Sequence, residues 1–157
     1  MLQKQRPRFL DVVVAGGLAA GLLDIVNATT FWFLYNGASP LLILQAIAAG
    51  LLGPESFAGG KATAALGLFL HFFIACGMAL VYWLACRRWE VLVRRPVTAG
   101  IAYGVVTWFA MNHVIVPLSR AKPPPFILSW FIDGVLAHVV LVGLLLAFFA
   151  RWSARRN

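Results

Sequence analysis

Four long apolar stretches constrain this chain before anything else, at roughly Phe9–Leu34, Ala62–Ala85, Val97–Leu118 and Phe126–Ala150. Each reaches the ~20 residues that an α-helix needs to cross the hydrocarbon of a bilayer. A soluble fold cannot absorb four of them in 157 residues. Composition agrees: 62% of the residues are hydrophobic and 11% charged, against about 25% charged in soluble domains. Mean hydropathy is +0.87. Disorder is excluded on the same ground. Two cysteines are too few for a disulfide scaffold. Cys76 and Cys86 fall on one helix, ~15 Å apart, too far to be bridged.

The basic residues sort between the two sides of these stretches. Lys4, Arg6 and Arg8 precede the first, Arg87, Arg88, Arg94 and Arg95 separate the second from the third, and Arg151, Arg155 and Arg156 follow the fourth. Only Lys61, Arg120 and Lys122 fall on the other side. The positive-inside rule puts both termini in the cytoplasm. The net charge of +8 is then explained by topology and lipid headgroups, with no nucleic acid implied. The first stretch is longer than a signal-peptide core of about 7–15 residues and carries Asp11 and Asp24, so it reads as an uncleaved anchor.

One segment is different. Ser39-Pro40 is a helix start and Gly53-Pro54 a stop. The run between them, about 40–52, is apolar and uncharged but too short to cross. It is expected to be a re-entrant or in-plane helix on the outer side. Its small face (Gln45, Ala46, Ala49, Gly50, Gly53) should lie on the bundle, and Ile43, Leu44, Ile47 and Leu51 should face lipid.

The spans also repeat. Gly17 and Gly21 in the first align with Gly100 and Gly104 in the third. Gly67 and His71 in the second align with Gly134 and His138 in the fourth. Paired spans point the same way, which predicts a parallel repeat about an axis along the membrane normal. The expected fold is an all-α membrane protein, one transmembrane domain over 1–157. It has four transmembrane helices in a 2+2 parallel internal repeat, plus the one short helix. The six glycines give the close approach by which helices associate in lipid. Trp32, Trp89, Trp130 and Trp152 fall near span ends, as interfacial aromatics do.

Polar side chains inside a membrane are costly and mark function by default. Here they are Asp24, Asn27, His71, Asn112, His113, Asp133 and His138, all placed by residue count in the outer half of the bilayer. Three readings follow. The groups tie helices together in a non-enzymatic bundle that acts as an oligomer or as an accessory subunit of a larger membrane assembly. Or they form a transport or proton-relay layer using Asp24, His71 and His138, with Asp24 the expected partner of one histidine. Or His71 and His138 at matched depth are the axial ligands of a b-type haem. The first needs no cofactor. No nucleophile–base pair is identifiable, so no enzymatic activity is expected.

Further residues carry a resemblance. Gly67 with His71, Gly100 with Gly104, Asn112-His113 followed by Pro117, the connector Pro123-Pro124-Pro125, and Gly134 with His138 resemble a group of four-span bacterial inner-membrane proteins. More distantly they resemble the YagU-like family. The resemblance covers about the last two thirds of the chain. It implies residence in the bacterial inner membrane and a link to acid tolerance, with no reaction attached.

Overall fold

The computed structural model describes residues 6–122 and 125–156. Lys4 and two prolines of the connector, Pro123 and Pro124, lie outside the described residues. Among the described residues all regular structure is helical. Helix α1 runs over Leu10–Asn36, α2 over Pro40–Leu52 and α3 over Gly60–Arg88. The short α4 is Val91–Arg94, α5 is Pro96–Leu118 and α6 is Leu128–Arg155. A 3-10 turn, Gly53–Ala58, prolongs α2. Counted with that turn, α2 joins α1, α3, α5 and α6 as a fifth segment long and apolar enough to cross a membrane. Length and composition therefore give one more candidate span than the sequence expectation.

The helix ends follow from local chemistry. α1 stops at Gly37, whose φ of +74° a side chain would strain. Its N–H donates to the Phe33 carbonyl, and the Ala38 N–H donates to that of Trp32. Ser39 Oγ accepts the Leu42 N–H at 3.3 Å, and Pro40 opens α2. In α5, Pro117 has no N–H for the carbonyl one turn earlier. The turn before it, Met111–Ile115, is widened to a π-helix. Two more π-helical stretches are Leu10–Gly16 at the start of α1 and His138–Leu144 within α6.

The helices pack on glycine. A Cβ at Gly17 would press on Cys76, and one at Gly21 on Phe72, so α1 lies tight on α3. A Cβ at Gly100 would overlap Gly143 and Leu144, and one at Gly104 would overlap His138 and Val139, so α5 lies tight on α6. Gly67 receives the Leu44 carbonyl of α2. Gly134 faces the Trp108 indole. The face that α2 buries is shifted by one step from the expected one. Gln45, Ala49 and Gly53 are buried as expected and Ala48 with them, while Ala46 and Gly50 line a hollow between the helices together with Ile43 and Ile47, which were expected to face lipid. The reason is the seat on Gly67, which holds the backbone of Leu44 and Ala48 against α3.

The bundle has two unlike ends. At one, Val12, Ala79, Tyr82, Val93, Leu146 and Ala150 make a closed apolar core. Buried Ser153 ties that end together, its hydroxyl donating to Asp11 Oδ2 at 2.6 Å and accepting the Arg8 N–H at 2.8 Å. Trp83 Nε1 donates to the Pro7 carbonyl at 2.9 Å, and Arg151 donates to that of Arg94. The arginines of the helix ends and of the α3–α5 connection gather here. At the other end, α2 and the residues around Arg120 surround a hollow.

Candidate functional site

The hollow is a cavity of about 910 Å³. Its floor is Ala20, Ala75, Met78 and Val142, on top of the packed core. Its far rim is built by the last residue of α1, Asn36, and by loop residues, among them Ala38, Ala121, Lys122 and Pro125. α2 closes one side, where the Arg120 N–H donates to the Gly50 carbonyl at 2.9 Å. α1 and α6 close another. There Asn27 Nδ2 donates to Asp133 Oδ2 at 2.9 Å, and the Trp32 and Trp130 rings lie 5.1 Å apart between centroids.

All the polar span residues expected from sequence line this one cavity, though they do so differently. His71 of α3 reaches α1, where its Nε2 donates to the Gly21 carbonyl at 2.8 Å. The same nitrogen is 4.0 Å from Asp24 Oδ2, with the two side chains 13% and 24% exposed. That separation suits an ion pair but not a hydrogen bond. Among the described residues no donor lies within bonding distance of the Asp24 carboxylate. Asp133 differs, because Asn27 supplies it one amide donor.

The remaining three are held by their own helices. His138 Nδ1 donates to the Gly134 carbonyl one turn away, at 2.9 Å. Asn112 Nδ2 donates to that of Trp108 at 2.9 Å. The His113 ring stacks on Phe109 with centroids 4.5 Å apart and planes inclined by 8°. The two histidines of the sequence repeat thus open on the same cavity, yet each engages a different carbonyl. Thr107 also bonds within its own helix, its single hydroxyl proton shared between the Gly104 and Tyr103 carbonyls at 3.0 Å each.

Sequence reasoning did not foresee the aromatic walls. Trp108 and Phe131 meet edge to face at 5.0 Å, and Trp32 and Trp130 form the opposite pair. A signal was present: Trp108 precedes Asn112 by one turn, and Trp130 precedes Asp133 by three residues, which puts each aromatic on the polar face of its helix. Gly143, which packs against both Gly100 and Gly104, was also missed. Among the described residues no group of three or more His, Cys, Asp or Glu side chains is arranged to hold a metal ion. Compared with known proteins, the chain matches no family model, no curated protein and no solved structure.

Proposed function

We propose that this is a multi-pass protein of the bacterial inner membrane, non-enzymatic, whose cavity receives a small solute as the binding site of a transporter or proton-relay pathway. One observation carries the reading. The polar residues of the spans converge on a single cavity that is sealed by the apolar core on one side and reaches the loops on the other. A volume of about 910 Å³ falls in the range of small-ligand pockets, about 300–1,000 Å³. Residues that served only to lock helices together would leave no such space between them.

In this reading α1, α3, α5 and α6 cross the membrane and α2 stays in the outer leaflet. The contacts of α2 support it. Gln45 Nε2 donates to the Gly60 carbonyl at 3.1 Å and to Thr63 Oγ1 at 3.3 Å, Leu44 sits on Gly67, and the Gly50 carbonyl meets Arg120. All these partners lie at the hollow end. The arginine-rich end faces the cytoplasm by the positive-inside rule, so the cavity faces out.

The glycine contacts support the 2+2 repeat. The step from Gly17 to Gly100 also takes Gly21 to Gly104, and the step from His71 to His138 takes Phe72 to Val139 and Cys76 to Gly143. Both glycine pairs therefore meet corresponding partners. The resemblance to four-span inner-membrane proteins and the YagU-like family is compatible with this plan. The haem reading has less support. With Nε2 donating to the Gly21 carbonyl, only Nδ1 of His71 keeps a lone pair for iron. The accessory-subunit or oligomer reading is favoured by the packed core but leaves the cavity without a use.

Thiol labelling tests the proposal. Ala28→Cys places a thiol on the cavity wall, in a background with Cys76→Ala and Cys86→Ala. A charged, membrane-impermeant thiosulfonate added outside intact cells should modify it. Phe73→Cys, on the exposed apolar outer face of α3, should stay unmodified. An Ala28→Cys thiol that resists the reagent would remove the outward-open cavity.

A further inference from the structure

Resting on that reading, we propose that the solute is a small organic ammonium, a protonated amine attached to an apolar body. The first ground is the pair of carboxylates. Asp24 and Asp133 both face the cavity, although the chain as a whole carries a formal charge of +8. A carboxylate facing an apolar wall attracts a cation more strongly than one in water, because the surroundings screen less.

The second ground is unfilled bonding capacity. Asp24 has His71 Nε2 at 4.0 Å and no hydrogen-bond donor among the described residues, while Asp133 holds one donor from Asn27. An ionised carboxylate accepts several hydrogen bonds, and an ammonium brings donors of the matching charge. The third ground is the wall. Trp32, Trp108, Trp130 and Phe131 line the same space. Aromatic faces attract cations and at the same time shelter an apolar body.

The other titratable groups facing the cavity are His71, His113, His138 and, at the loop rim, Lys122. His71 and His138 are already turned onto backbone carbonyls. Lys122 flanks the connector, away from the floor residues below Asp24. An anion would meet both carboxylates and gain only Lys122 as a permanent charge. A neutral solute could bring a hydroxyl or amide donor to Asp24 but not the opposite charge that strengthens a bond to a carboxylate.

The test uses three probes with one ring and different heads: phenethylamine, phenethyl alcohol and phenylacetate. Each is titrated calorimetrically into the full-length protein in zwitterionic nanodiscs, with empty nanodiscs subtracted. Phenethylamine should bind saturably, about tenfold or more tighter than the alcohol, with phenylacetate weakest. Asp24→Asn should weaken the amine by about tenfold and leave the alcohol unchanged, and Asp133→Asn should weaken it less. If Asp24→Asn fails to fold, Asp133→Asn and the head-group series on the unaltered protein still decide.

The alcohol or the carboxylate binding as tightly as the amine would overturn the ammonium assignment and leave a solute cavity standing. No binding of any probe, with Ala28→Cys still labelled from outside, would also overturn it alone. No binding together with an unlabelled Ala28→Cys would remove the cavity reading as well.

Discussion

The imidazole of His71 is tied to the backbone of Gly21, its Nε2 donating to that carbonyl at 2.8 Å, so the seam between α1 and α3 is also where a titratable ring enters the cavity. The bond is possible because Gly21 has no side chain to keep α3 at a distance. Removing the ring should loosen this seam. His71→Leu is expected to lower stability by about 0.5–1.5 kcal/mol, the net worth of one such bond. His71→Gln, whose amide retains a donor, should recover part of it. Thermal unfolding in one detergent measures both, and equal loss in the two variants would mean the donor contributes nothing.

Asn27 and Asp133 form the matching tie between α1 and α6. Asn27→Leu leaves the part-buried carboxylate without its amide and should cost about 0.5–1.5 kcal/mol, the net worth of one such bond. Asn27→Leu combined with Asp133→Leu should cost less than the sum of the single changes. A double-mutant cycle by chemical or thermal unfolding reads this coupling directly, and strict additivity would mean the two side chains do not interact.

The glycines should divide sharply. Gly104→Ala drives a methyl into the backbone of His138 and Val139, whereas Gly77→Ala meets nothing within 4 Å. The first should destabilise by about 1–3 kcal/mol, as overpacking does. The second should be neutral or should stabilise by up to about 1 kcal/mol, since Ala is the better helix former. Unfolding midpoints for the two, compared in the same lipid or detergent, give the answer, and similar shifts would contradict the packing described.

Gln45 offers a test of how α2 is held. Its amide donates to the Phe57 and Gly60 carbonyls and to Thr63 Oγ1. Gln45→Leu should cost about 1–2 kcal/mol through the acceptors it abandons and should expose Gly53–Ala58 to protease. Ile47→Leu, a change of shape without polar loss, should stay within about 1.5 kcal/mol. Limited proteolysis alongside the melting curves would separate local release of α2 from general weakening.

The helices were legible because a span is written as ~20 apolar residues, and Ser39-Pro40 and Gly53 marked α2 as plainly. The glycines were legible as contacts: Gly17, Gly21, Gly100 and Gly104 each meet the neighbouring helix of their pair. Gly143 belongs to neither a Gly-xxx-Gly nor a Gly-xxx-His pattern. The spacing of Gly143, Ala147, Ala150 and Ala154 would have disclosed it. Depth by residue count placed the polar residues at one level, but that they open on one cavity emerged only from the fold. So did the atom that each engages. The His138 ring turns to its own helix, a side-chain choice that no periodicity records. The clasp of Asp11 with Ser153 joins residues near opposite ends of the chain, and nothing local to either announces the other.

Anchorage and chemistry occupy different depths of the same helices, with the core around Leu146 and Ala150 below and the cavity above. A substitution on the cavity wall leaves the packed core in place, so its cost is confined to the bond or contact that it removes. Such a scaffold is free to vary. Residues at the level of Asp24, Trp108 and Asp133 can be exchanged one at a time while the lower half preserves the fold.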